Sequence, residues 1–355
     1  MAVIMALKHR DGRLWQMKAP EFWKERGMLA WLLYPISLIY GRISLSRFNK
    51  PARYKAHLPV ICVGNLVAGG AGKTPMAMSL GKAAVSLGLS PIFLTRGFGG
   101  TQEGPIEVSL DHHSAADVGD EALLLARIAP TVVAKDRVQG AKLAEKLCEK
   151  QEGGIVIMDD GFQNPYLYKD LNLVVVDAQQ SLGNDFVMPA GPLRAPLLPQ
   201  VRRADLFVVI GEGERAPRLR QLAAKLGKAS NHAYLKPAKC NLLGGTRILA
   251  FCGIGHPGKF HRTLKELELE IIEKRDFADH HPYTNSEARE LLDIAEQQNL
   301  TVVTTAKDHV RLKGVGEAGD TLAKKALVIE VEIAFDDSSF PRRAIEQAQR
   351  KFSRR

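Results

Sequence analysis

Over much of the chain the apolar residues come in short unbroken blocks rather than in alternation, at 58–63, 91–95, 131–134, 154–158, 171–176 and 206–210. A strand with one face in water alternates apolar and polar positions, whereas a strand covered on both faces does not. Between the blocks lie stretches of helical period at 76–87, 118–127 and 137–150. Strands alternating with helices predict a doubly wound α/β domain with a mostly parallel sheet, whose ligands bind outside the carboxyl ends of the strands. A four-proline stretch, 188–199, reads as a loop. From about Ala233 a second series follows, with strands at 247–252, 270–274, 301–304 and 327–331 and helices at 258–267 and 285–298. Three parts result: an N-terminal segment over 1–57, a larger α/β domain over 58–235 and a smaller α/β domain over 236–355.

The N-terminal segment breaks this pattern. Residues 27–41 are almost wholly apolar, carry Trp31, Tyr34 and Tyr40, and have Pro35 near the centre. About 20 apolar residues are needed to span a bilayer, so this stretch is short for a spanning helix. It lies too far into the chain, without a cleavage site, for a secretory signal. Basic residues flank it: residues 1–58 hold eleven Lys and Arg against three Asp and Glu, which accounts for most of the chain's net charge of +10. That asymmetry argues against a nucleic-acid groove elsewhere in the molecule. Apolar burial and charge attraction together favour a helix lying in an anionic membrane surface. The alternative is a core helix packed on the larger domain. The four cysteines, Cys62, Cys148, Cys240 and Cys252, form no CxxC pair, which fits a reducing compartment and no structural zinc.

The densest candidate chemistry lies at 64–75, a glycine-rich turn between a strand and a helix. The backbone N–H groups of Gly69, Gly70, Ala71, Gly72, Lys73 and Thr74, followed by Pro75, form a candidate polyphosphate cradle. Lys73 reaches outward and the Thr74 hydroxyl is placed for Mg²⁺. A strict GxxxxGK(S/T) loop has glycine where this chain has Val67. The plainer alternative is an ordinary glycine-rich βα loop. Asp159 and Asp160 follow an apolar strand, as the metal-holding carboxylate of a P-loop enzyme does. Adjacent residues point apart, so at most one ligates directly; the alternative is a solvated Asp-Asp-Gly turn. Asp120 and Glu121 open a helix, where capping competes with catalysis as an explanation. His280 follows Asp279 and precedes His281, a carboxylate-imidazole cluster that is either a base or a polar loop. Arg96, Arg137 and Arg194 lie in or beside loops as candidate phosphate clamps or structural residues.

In order, GNLVAGGAGKTP, TRGFGG, VGDEA, MDDGFQN, PAGPLRAP, FADHHPY and TTAKDHVRL span residues 64–312. Together they resemble the tetraacyldisaccharide 4'-kinases, the lipid A 4'-kinases of Gram-negative bacteria. The resemblance implies transfer of the ATP γ-phosphate to the 4'-hydroxyl of a tetraacylated glucosamine disaccharide 1-phosphate, at the cytoplasmic face of the inner membrane. The implied fold is a P-loop-type, mostly parallel sheet domain with a second, smaller α/β domain and an N-terminal membrane-associated helical segment. ATP and Mg²⁺ are the implied cofactors, with the lipid A disaccharide precursor and an anionic inner-membrane surface as partners, and neither nucleic acid nor an obligate protein partner. Residue by residue, the resemblance places the phosphate loop on Gly69 to Thr74 and Walker-B-like carboxylates on Asp159 and Asp160. It makes Asp120 catalytic together with His280, Glu121 a metal-side carboxylate and Arg194 a phosphate or substrate contact. Asp120 would then accept from one nitrogen of His280 while the other takes the proton of the attacking hydroxyl. Asn164 and Ala195 stand where the family usually has His and Glu. The rival reading is a membrane-associated P-loop ATPase of the MinD/ParA type, which carries lysine where this chain has Ala68. A GTPase is disfavoured because Lys307-Asp308 lacks the asparagine of an NKxD motif.

Overall fold

The structure is a computed structural model that describes residues 20–149, 152–212, 216–238 and 243–355. Lys8, Arg10, Arg13 and Lys18 of the basic segment, Lys150 at the end of a predicted helix, and Cys240 lie outside the described residues.

In chain order the elements are α1 (Met28–Phe48), β1 (Val60–Gly64), α2 (Lys73–Ser86), β2 (Ser90–Thr95), β3 (Ile106–Glu107), α3 (Ala115–Val118), α4 (Asp120–Ala126), β4 (Thr131–Val133), α5 (Arg137–Cys148), β5 (Gly154–Asp159), β6 (Leu171–Asp177), α6 (Leu197–Arg203), β7 (Leu206–Ile210), α7 (Ala216–Lys225) and β8 (Ala229–Pro237). Then follow β9 (Arg247–Cys252), α8 (Pro257–Glu266), β10 (Glu270–Asp276), α9 (Asn285–Gln297), β11 (Thr301–Thr305), α10 (Ala306–Leu312), α11 (Glu317–Lys325), β12 (Leu327–Ile329), β13 (Val331–Phe335) and α12 (Phe340–Ser353).

Every residue of β1, β6 and β7 is buried, as their largely apolar sequences require, with Asn172 and Asp177 of β6 as the buried polar members. They form the centre of a nine-stranded sheet, ordered β13-β8-β7-β6-β1-β5-β2-β4-β3, in which only the two edge strands β13 and β3 run antiparallel to their neighbours. The crossover from β1 to β2 runs to one side and that from β5 to β6 returns past β1 to the other, so the loop after β1 lies at the switch point of the sheet. Parallel pairing sets Val63 of β1 beside Asp159 of β5, which brings the end of the aspartate strand against the start of that loop. The smaller sheet, β10-β9-β11-β12, is parallel throughout.

A single cut near residue 236 does not describe this arrangement. The run predicted as one strand over 327–331 divides at Glu330: β12 closes the smaller sheet and β13 pairs with β8 of the larger one. α12 then lays Phe340, Ala344, Ile345 and Ala348 into the same core as Met76, Ala77 and Leu80 of α2. The larger unit thus takes the chain's last elements, and the smaller one is an insertion between β8 and β13. The proline-rich loop is also shorter than predicted, because α6 starts at Leu197 and accepts Pro199 in its first turn.

α1 is longer than its apolar core and runs through Pro35 to 21 residues, enough by length and composition to cross a membrane. One narrow stripe, Ala30, Ser37, Gly41 and Phe48, is buried. Ser37 Oγ accepts from Ala190 N at 2.9 Å, and Trp31 and Tyr34 pack on Phe186. The other faces leave Met28, Leu32, Ile36 and Ile39 to solvent, Met28 at 91% exposure. The helix is therefore docked along its length on the body while presenting apolar surface outward, a mixture of the two sequence readings.

Candidate active site

Gly72, the N-cap of α2, has φ +85°, and a Cβ there would lie 2.7 Å from Ile210 Cδ1, so both backbone and space call for glycine. The 64–75 turn is fixed mostly by the proline-rich loop. Ala68 N donates to Pro192 O (2.8 Å), Arg194 N to Leu66 O (3.0 Å) and Arg194 Nε to Val67 O (3.1 Å), while Asn65 Nδ2 donates to Gly69 O (3.1 Å). Val67 bridges to Leu193 and its side chain joins the core, which accounts for an apolar residue where the strict motif has glycine. Lys73 Nζ lies 3.8 Å from Asp160 Oδ1. Pro75 sits in the first turn of α2, where a missing N–H costs nothing.

The two aspartates point apart. Asp159 is wholly buried and its Oδ2 accepts from Thr74 Oγ at 3.1 Å. Burial, and then the nearby Glu121 carboxylate, push its pKa up to about 7. Its Oδ1 is buried with no partner among the described residues. A buried, unpartnered carboxylate oxygen beside a threonine hydroxyl and a second carboxylate is an all-oxygen donor set, which fits Mg²⁺. Asp160, at φ +50°, is gripped by the Arg194 fork at 2.8 and 3.3 Å. Burial opposes its charge, but Arg194 and Lys73 hold its pKa down at about 2. Arg194 thus joins Asp160 to the phosphate loop and is held there, rather than standing free for a ligand.

The third cluster spans the two units. Gly119, at φ +84°, turns the chain into α4 where a Cβ would meet Phe98 O at 2.3 Å, and so sets Asp120 at the helix start. Asp120 is 3% exposed. Its Oδ1 accepts from Glu121 N (2.8 Å); its Oδ2 accepts from His280 Nδ1 (2.9 Å) and forms an ion pair with Arg311 Nε (3.1 Å), both from the smaller unit. Burial resists the Asp120 charge, but the His280 hydrogen bond and the Lys307 and Arg311 charges outweigh it and hold the carboxyl well below its usual range. For His280, burial disfavours the imidazolium, yet Asp120 wins and the pKa is raised. Because an ionised carboxylate only accepts, Nδ1 carries the shared proton and Nε2 keeps a lone pair in neutral His280. Gly253, after β9, fixes this geometry: its carbonyl accepts from His280 N (3.0 Å) and Arg311 Nη1 (2.9 Å), and its N–H donates to Asp308 Oδ1 (2.7 Å), which also holds the Tyr283 hydroxyl (2.7 Å). Glu121 Oε1 accepts from Lys307 Nζ at 2.6 Å.

The side chains of the remaining candidates bond outside these clusters, although the buried Arg137 charge helps to lower the Asp160 pKa. Arg137 is buried and donates to Ala134 O, and Arg96 is exposed at the end of β2. His281 bonds Glu287 in the capping box of α9. Asn164 Oδ1 accepts from Tyr166 N (3.0 Å) as a turn residue, and Ala195 is buried with its carbonyl on Gln200.

The family model described as tetraacyldisaccharide-1-P 4'-kinase matches residues 29–349. The chain belongs to that family. A tetraacyldisaccharide 4'-kinase of Allorhizobium ampelinum is 46% identical over 346 residues, covering 96% of this chain and 99% of the relative. One of Rhodopseudomonas palustris is 46% identical over 324 residues, covering 90% and 94%. A crystal structure of the Aquifex aeolicus member of the family, described as an "apo" form in complex with ATP, is similar with a TM-score of 0.70 at 27% identity, covering 92% of this chain and all of that one. Membership sets aside the MinD/ParA reading. Sequence alone assigns no site role to Lys307, Arg311, Asp308 or Gly253, although Lys307-Asp308 is weighed as a guanine motif. Lys307 to Arg311 lay inside TTAKDHVRL, and their i, i+4 spacing on a helix was the available signal.

Proposed function

We infer that the protein is an ATP-dependent kinase that transfers the γ-phosphate to the 4'-hydroxyl of a tetraacylated glucosamine disaccharide 1-phosphate, a step of lipid A biosynthesis. The observation that carries the mechanism is the Asp120–His280 hydrogen bond, made across the units beside the phosphate loop.

The amides from Gly69 to Thr74 cradle the phosphates, and Lys73 neutralises charge on the outer ones. Thr74, Asp159 and Glu121 are the residues that would hold Mg²⁺. When bound, the ion neutralises phosphate oxygens and aligns the group being transferred. Asp160 keeps Lys73 and Arg194 in position. As the acceptor oxygen bonds to phosphorus and ADP leaves, the hydroxyl proton passes to His280 Nε2, while Asp120 fixes the ring and stabilises the imidazolium. The outward faces of α1, with their flanking basic residues, lie in the anionic membrane surface and bring the site to its lipid substrate. ATP supply assigns this surface to the cytoplasmic face of the inner membrane. This reading calls for no nucleic acid and no obligate protein partner.

The test is label transfer from γ-labelled ATP to the lipid disaccharide, set against release of free phosphate. Labelled lipid formed by the wild type and lost in His280→Ala supports the reading; free phosphate as the main product would sink it.

A further inference from the structure

Glu121 has one side-chain donor among the described residues, and it comes from the other unit. Lys307 Nζ lies 2.6 Å from Glu121 Oε1, with both groups largely covered. The pairing follows from the meeting of two helices. α4 opens with consecutive carboxylates, Asp120 and Glu121, and α10 opposes them with cations four residues apart. Lys307 meets Glu121, and Arg311, whose Nε also donates to Lys307 O (3.1 Å), meets Asp120. Asp120 has a second donor in His280; Glu121 has none. Glu121 also lies close enough to Asp159 to disfavour its charge, and Asp159 Oδ1 is buried without a partner. Two facing carboxylates need positive charge; Lys73 supplies part of it from the phosphate loop, and the Lys307 ammonium supplies the hydrogen-bonded share to Glu121.

An ammonium at hydrogen-bond distance and a divalent ion at coordination distance compete for the same Glu121 oxygens. We propose that Lys307 is the resident counter-ion of Glu121, displaced when Mg²⁺ arrives with the nucleotide, and thus a positioning residue that sets metal affinity and couples loading of the metal to contact between the units. This rests on the assignment of Thr74, Glu121 and Asp159 as the metal site.

The experiment is Mn²⁺ binding to the full chain in detergent, read by electron paramagnetic resonance or calorimetry without lipid acceptor, so that no turnover enters. Lys307→Met is expected to bind Mn²⁺ roughly 10-fold tighter, the scale of removing one competing charge, and Lys307→Arg to match the wild type. Lys307→Gln gives the same direction should the methionine variant not fold. Unchanged or weaker binding in these neutral variants overturns the proposal, since a merely structural loss loosens the site. Asp159→Asn separates the two claims. If it weakens Mn²⁺ binding while Lys307→Met changes nothing, only the role of Lys307 fails; if it binds like the wild type, the metal site itself is wrong.

Discussion

Among the described residues the phosphate loop takes its hydrogen bonds and ion pairs from the larger unit: Asn65, Pro192 and Arg194 hold its backbone, and Asp159 and Asp160 face Thr74 and Lys73. The proton-accepting pair is built the other way, joining residues 160 positions apart through one hydrogen bond between units. A cradle made within one unit keeps its shape however the units move, whereas a base shared between units exists only while they touch. On the proposed roles, the phosphate cradle needs the larger unit only, and proton acceptance is conditional on contact between units. A base that is assembled only on contact would limit loss of ATP to water.

The strongest way to break this comparison is at the loop. Lys73→Ala is expected to lower kcat roughly 10³- to 10⁵-fold, the scale on which one cation at a transferring phosphoryl group counts, measured by label transfer to lipid. Normal transfer would remove the loop from the donor role. Next comes the shared base: His280→Ala should lower kcat roughly 10²- to 10⁴-fold while leaving binding of an ATP analogue nearly intact, since His280 belongs to the other unit. Loss of nucleotide binding in that variant would erase the distinction between the two regions. Arg194→Lys gives up the planar fork on Asp160 and is expected to raise KM for ATP about 10-fold, from a hydrogen-bonded charge worth about 1.5–3 kcal/mol.

The pair also titrates. Because the His280 pKa is raised, the acid limb of kcat/KM is expected above the ordinary histidine value of about 6.5, with activity rising as the ring loses its proton. Asp120→Asn should move that limb to lower pH, and an unmoved limb would deny the coupling. In stability the signs oppose. The depressed Asp120 contributes above about pH 4 and loses its contribution as pH falls. The raised His280 contributes fully below about pH 6.5 and loses its contribution as pH rises, so the contact between units is strongest between these limits. The smallest expected effect lies outside the comparison: Ser37→Ala removes the α1 hydrogen bond to Ala190 N and should cost about 1 kcal/mol in thermal unfolding.

Buried parallel strands were the most legible part of the sequence. The expected bounds at 206–210 and 247–252 coincide with β7 and β9, because strands covered on both faces leave no polar positions to confuse their limits. The C-terminal return was hidden. Residues 327–331 form one apolar run, and where it changes sheets depends on which edge lies nearby, an edge that β8 offers and local sequence does not reveal. The loop, Thr74 and the aspartate strand were readable because their partners follow from local motifs and strand pairing. Asp120 and His280 were visible as fragments, but Lys307 and Arg311, whose charges help to depress Asp120, come from a helix whose short, charged sequence carries little periodic signal. Val67 reads as a defect in a motif until Leu193 and the core around it are placed.

The most direct measurement of the shared base is a double-mutant cycle on kcat with Asp120→Asn, His280→Ala and both together, in the lipid-transfer assay with saturating ATP. Residues that act as one unit lose their contribution once, so the double variant is expected to be no slower than His280→Ala alone to within a few-fold. Losses that multiply, with the double variant slower by the product of the two single effects, would contradict a base assembled across the two units.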